Sequence, residues 1–147
     1  MIPNSYSEWC TLMDEIGSSP RNDDYIQMVR QGTVSWTSGV AERFVQCVSN
    51  TMRKRINAAQ DVYQKQMRCS MGADVAIARA LSVLTKEYRY LYQLSLALPI
   101  PTEYVQQMTR MVQDQADLTH KNLMDSAKAD RTGKLASIVK SAGVNKL

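Results

Sequence analysis

The stretch ADVAIARALSVLTKEYRYLYQLSLAL, residues 73–98, decides the fold. Within it Ile77, Leu81, Leu84, Tyr88, Leu91, Ser95 and Leu98 recur at alternating steps of four and three. A repeat close to 3.5 lays these side chains in one stripe along a helix, the seam by which helices pack side by side. Arg79, Lys86 and Arg89 fall on the opposite face. Ala73 and Asp74 open this helix, and Pro99-Ile100-Pro101 stops it, because proline lacks a backbone donor and disfavours helix in the residue before it.

Upstream, a second long row holds Val40, Phe44, Val45, Val48, Met52, Ile56, Ala59 and Tyr63. It predicts a helix from near Ser35–Ser38 to about Arg68, with Cys69-Ser70-Met71-Gly72 as the break. Downstream, Thr102 is placed to cap another helix whose row is Val105, Met108, Met111 or Val112, Gln115 and Leu118, fading near Asp125. Short connections between long helices make them antiparallel neighbours.

At the N-terminal end, Ser5 and Glu8 form a capping box ahead of Trp9, Leu12, Met13 and Ile16. Gly17-Ser18-Ser19-Pro20 ends that helix. Asn22 or Asp23 caps a second short one, with Tyr25, Ile26 and Val29 inward and Gln31-Gly32 at its end. The expected fold is all-α: a long antiparallel helical hairpin within a three- to four-helix bundle, two short N-terminal helices and a short C-terminal amphipathic tail. Residues 1–130 are assigned to the bundle and 131–147 to the tail. Asp125 to Asp130 between them reads as a frayed helix end or a hinge.

Composition narrows the class further. One hundred and forty-seven residues, 44% of them hydrophobic and 22% charged, suit one globular domain rather than a disordered chain. Nine Met with few Pro and Gly favour helices. The net charge of +4 is divided: residues 1–50 carry six acids and three bases, residues 51–147 eight acids and fifteen bases. This division suggests an anionic partner or attraction between subunits, although long solvated helices carry such charge without any partner.

Cys10, Cys47 and Cys69 are odd in number and form no CxxC pair, so reduced thiols and a cytoplasmic setting are expected. The first residues lack a basic segment followed by an apolar one, and Leu94 to Ile100 is too short to span a bilayer. Export by a route without a cleaved signal stays compatible with this reading.

Chemistry-bearing candidates are few. His120 is the single histidine, and Asp114, Asp117 and His120 share one face at steps of three. This resembles half of a carboxylate-bridged metal site in a helical bundle, but no second histidine supplies the other half. An exposed polar face is the simpler account. A Ser-His-Asp or Cys-His arrangement would need His120 in a pocket, and the glycines form no phosphate-cradling loop. The sequence therefore gives no catalytic residue, metal or cofactor.

Lys54, Lys65 and Arg68 of the third helix and Arg79, Lys86 and Arg89 of the fourth are candidates for a joint anion or nucleic-acid face, with Tyr90 and Tyr92 close enough to stack on bases. Asp61 and Glu87 interrupt that face. Met52 and Met108 are expected in the core, while Met67, Met71 and Met124 near helix ends suit either the core or a partner surface.

In the tail, Leu135, Ile138, Val139 and Ala142 form an apolar stripe flanked by lysines, too short to hold a helix alone. It is assigned to a partner or subunit surface, with docking on its own bundle and lying on an anionic membrane as the competing accounts; the shortness of the stripe and Gly143 at its end count against the membrane. Together these features lead to a non-enzymatic helical protein–protein interaction protein, a subunit, adaptor, chaperone or regulator of an assembly and itself a homo-oligomer. A nucleic-acid-associated helical protein is the alternative.

Overall fold

The computed structural model describes residues 2–35, 37, 39–69 and 73–147. Among these, six helices and no strand occur: α1 (Tyr6–Ser18), α2 (Asp23–Gln31), α3 (Val40–Cys69), α4 (Asp74–Ala97), α5 (Thr102–Ala127) and α6 (Lys134–Ala142). The all-α bundle with two short leading helices is thus observed. α3 starts at Val40, later than the Ser35–Ser38 start read from the sequence; Ser35 and Thr37 are not helical, and Trp36 and Ser38 lie outside the described residues. Of the expected break, Cys69 closes α3, while Ser70, Met71 and Gly72 lie outside the description.

α4 is the central element and packs on α2, α3, α5 and α6. All seven residues of its heptad row are buried. Ser95 fits there because its hydroxyl donates to Leu91 O at 2.9 Å, so it is not itself left unpaired in the core. The buried surface of α4 extends well beyond the row, taking in Ala80, Thr85, Glu87, Tyr90, Leu94 and Ala97. Arg79, Lys86 and Arg89 remain exposed.

The α3 row enters the same core from Phe44 to Ile56 and becomes half-buried at Ala59 and Tyr63. Met52 and Met108 lie in the core as expected, and Met67 and Met124 are half-buried. α5 differs from its reading. Its buried line is Met108, Val112, Ala116 and Ala127, and Leu118 is 51% exposed. Steps of four through Ala116 turn the inward face away from Gln115 and Leu118, and Thr119 joins that face by bonding the Tyr88 hydroxyl at 2.8 Å.

The N-terminal helices form a cap. Ser5 caps α1 by accepting from Glu8 N at 3.2 Å, but the expected capping box is only half formed: the Glu8 carboxylate accepts from Asn4 N at 3.3 Å and the Ser5 hydroxyl at 3.1 Å, one residue short of the reciprocal bond to Ser5 N. Asn22 caps α2 by accepting from Asp24 N at 2.9 Å. Trp9 anchors the cap: its ring meets Phe44 edge-on at 5.0 Å, and its Nε1 donates to Thr33 O at 3.0 Å. Gly32 is required beside it, since a Cβ there would lie 2.4 Å from the indole.

α1 and α3 run parallel, because their contact partners advance together. Arg43 stands over the Tyr6 ring at 4.9 Å, Trp9 meets Phe44, Thr51 Oγ1 donates to Met13 O at 3.4 Å, and Lys54 packs beside Gly17.

The tail forms α6, ended by Gly143 at φ 61°. It packs on α4 and α5, and Val139 joins Ile77 and Leu81 in a second, smaller core. Val144 reaches the main core. The segment read as a frayed end or hinge is structured: α5 continues to Ala127, and the Asp130 carboxylate accepts from Thr132 N, Thr132 Oγ1 and Leu135 N at 2.8–3.1 Å.

Candidate functional site

The parallel packing of α1 on α3 ends at Ser18, but α3 and α4 continue. Past that point their shared face is uncovered and forms an open groove of about 580 Å³. Ala58, Ala59, Ala80 and Leu84 lie along it, with Val62 and Val83 on its edges at 49% and 43% exposure. Small residues on both helices keep it wide. Tyr63 also lines it, with a hydroxyl that is buried without a hydrogen-bond partner among the described residues and a pKa pushed up by burial.

Arg55 and Glu87 close the head of this groove. Arg55 Nε donates to Glu87 Oε1 at 2.6 Å and Nη2 to Glu87 Oε2 at 3.1 Å, a two-pronged pair whose side chains are 8% and 11% exposed. Arg55 Nη1 also donates to Ile16 O and, at 2.7 Å, to Ser19 O. It thereby supplies positive charge to the carbonyls at the C-terminal end of α1. Its guanidinium lies 5.1 Å from the Tyr90 ring, and the Tyr90 hydroxyl donates to Asn22 O at 3.2 Å. One cluster therefore pins the end of α1 and the start of α2 onto the α3–α4 hairpin. Arg21 sits beside it, 3.9 Å from Glu87 Oε2.

This cluster corrects one sequence reading: Glu87 is buried beside Arg55 and does not interrupt an outer basic face. A signal for Arg55 was present: it follows Thr51 by four and Met52 by three, so it shares their buried face. Tyr90, read as a stacking residue, is buried in this cluster, whereas Tyr92 is half-buried.

A second cleft, of about 420 Å³, lies between α4 and α6. Lys86, Arg89 and Ser82 of α4 face Ser137 and Ser141 of α6 across it. The six cations of the expected anion face do not gather in one place. Lys54 stands at the head of the α3–α4 groove, Arg68 lines a cleft with Leu123 and Leu135, and only Lys86 and Arg89 share the α4–α6 cleft. Lys65 and Arg79 are exposed.

The tail stripe is engaged within the chain. Val139 is wholly buried, and Leu135, Ile138 and Ala142 are half-buried against α4 and α5. These four could meet a partner fully only if α6 undocked.

His120 is half-buried, and its Nδ1 is enclosed without a partner among the described residues, so its face is less open than the sequence suggests. Asp114 and Asp117 are exposed, and Asp117 accepts from Gln113 Nε2 at 2.9 Å. Among the described residues no group of three or more His, Cys, Asp or Glu is placed to hold a metal ion. No helix among them is long and apolar enough to cross a membrane.

The three cysteines are free thiols. Burial, then the neighbouring Cys10, then Asp14 push the Cys47 thiol up to about 11. At pH 8 a thiol of that pKa is ionised in on the order of one molecule in 10³. Timed alkylation with iodoacetamide at pH 8, read by peptide mass mapping, is therefore expected to modify exposed Cys69 first and Cys47 last. Cys47 reacting as fast as Cys69 would contradict its burial.

The chain matches no family model, no curated protein and no solved structure.

Proposed function

We propose that the chain is a non-enzymatic binding protein that receives an amphipathic helix of a partner protein, flanked by acidic side chains, in the α3–α4 groove. The observation that carries this reading is the interrupted track of α1. That helix covers the hairpin as far as Ser18, and the same face continues uncovered for about two more turns with alanines along it and valines on its edges. A partner helix laid there extends the packing α1 begins, the helix-in-groove mode in which apolar anchors recur every third or fourth residue. Arg21 and Lys54 at the groove head favour acidic flanks on the incoming helix. The scatter of the remaining cations favours a protein over nucleic acid, which binds to a continuous basic stripe.

The test uses the whole chain and a synthetic helical peptide of about 14 residues, with Leu along one face and Glu on both flanks. Fluorescence anisotropy is expected to show saturable binding that Val62→Glu and Val83→Glu each weaken at least tenfold. Both valines are well exposed, so the melting temperature should hold in either variant. Equal binding by wild type and both variants would remove the groove from the function. Sedimentation of the wild type as a dimer that Val62→Glu dissociates would assign the groove to a second copy and overturn the partner-helix reading.

A further inference from the structure

A different observation, independent of the groove, concerns the cleft between α4 and α6. On α4, Ser82, Lys86 and Arg89 follow one another at four and three residues, so they stand in one stripe. On α6, Ser137 and Ser141 are four apart and face that stripe. Ala78, Ile138, Ala142 and the buried Thr85 complete the lining. Thr85 Oγ1 lies 2.8 Å from Leu81 O of its own helix and 3.4 Å from Ala142 O, so its single hydroxyl proton is already committed.

The other groups are not occupied. Lys86, Arg89 and the three serine hydroxyls have no hydrogen-bond or ion-pair partner among the described residues. No carboxylate lines the cleft. Two exposed cations and three exposed hydroxyls thus line one cleft beside apolar side chains, and none of its lining residues carries a negative charge.

We infer that the α4–α6 cleft is a binding site for the phosphoryl group of a small phosphorylated ligand. A phosphate dianion needs two positive charges and several donors for its oxygens. The Arg89 guanidinium supplies a planar fork and Lys86 a point charge, while Ser82, Ser137 and Ser141 supply neutral donors from both walls. The apolar side chains of the lining reduce screening of the charges on one side. The cleft volume, about 420 Å³, exceeds a single phosphate and leaves space for a second phosphoryl group or a small attached moiety. The site exists only because α6 is docked, so occupancy would also hold α6 in place.

The test is a titration of the intact, isotope-labelled protein with inorganic phosphate and with pyrophosphate, followed by amide NMR at constant ionic strength against a chloride control. Saturable shifts centred on residues 82–89 and 137–142 are expected, with pyrophosphate the tighter ligand. Lys86→Gln with Arg89→Gln should weaken the affinity at least fivefold, whereas Lys65→Gln, on exposed α3 surface, should leave it unchanged. Absence of saturable shifts, or equal affinity in the double variant, would overturn the site. A single-stranded oligonucleotide that binds more tightly than pyrophosphate, with a salt slope well above that of two ionic contacts, would overturn the small-ligand assignment in favour of a polyanion.

Discussion

Arg55→Ala is expected to lower the thermal midpoint by about 10–15 °C, the consequence of a loss of about 3–5 kcal/mol in a chain of this size. The cost arises mainly from what the substitution leaves behind. Glu87 is left with its side chain 11% exposed and, among the described residues, only Arg21 nearby at 3.9 Å. Ile16 O and Ser19 O lose their donor at the end of α1, and the Tyr90 ring loses the guanidinium beside it. Glu87→Gln should cost less, because Arg55 retains both carbonyls and a neutral acceptor. The double variant Arg55→Met, Glu87→Leu should recover much of the loss, since it leaves no buried charge unpaired. Calorimetry of the three variants decides the matter. An Arg55→Ala midpoint within about 2 °C of wild type would mean that the cluster does not hold the N-terminal cap.

This cluster also marks where sequence reading stops. The α4 row was legible because seven positions at one period are all buried, and periodic burial is a local property of a helix. Arg55 was only half legible: its register with Thr51 and Met52 points it inward, but an arginine enters a core only when a distant group satisfies it. Its partners, Glu87 and the α1 carbonyls, lie more than thirty residues away in sequence. In α5 the apolar pattern pointed to Leu118, but the helix instead presents Ala116 and Thr119 to its neighbours. A small residue marks a close helix approach, and an apolar scale does not register it.

The candidate sites were legible to different degrees. Lys86 and Arg89 stood out in the sequence, yet their cleft needs Ser137 and Ser141, which arrive only when α6 docks. The α3–α4 groove depends on how far α1 reaches along α3. That is set by the register between two helices and by the Arg55 contacts, neither of which a single row reveals. The same holds for the tail, whose stripe was plain in the sequence while the surface it meets was not.

Deleting residues 131–147 is expected to lower the thermal midpoint by on the order of 10 °C and to increase binding of a hydrophobic dye. Val139 and Val144 are wholly buried, and their removal uncovers Ile77 and Leu81 of α4. α6 has nine residues, too few to be helical alone, so its order comes from α4 and α5. Asp130 sets the turn into it. Backbone and side-chain donors of Leu135 and Thr132 hold its carboxyl below the usual carboxylate range. With the folded pKa depressed, the stabilisation from this turn is present above the unfolded carboxylate pKa and fades as pH falls through the folded value.

Acidification should therefore loosen the tail before the bundle melts, and Asp130→Ala should loosen it already at neutral pH. Hydrogen exchange at residues 134–142, measured from pH 7 down to pH 3 and corrected for intrinsic rates, follows that step directly. If the truncated chain melts with the wild type and its dye binding is unchanged, α6 contributes little to the fold, and Leu135, Ile138, Val139 and Ala142 are free for a partner. If it melts low, as expected, a partner could reach those four residues fully only by competing with the chain's own core, and the uncovered α3–α4 groove is the easier place to bind.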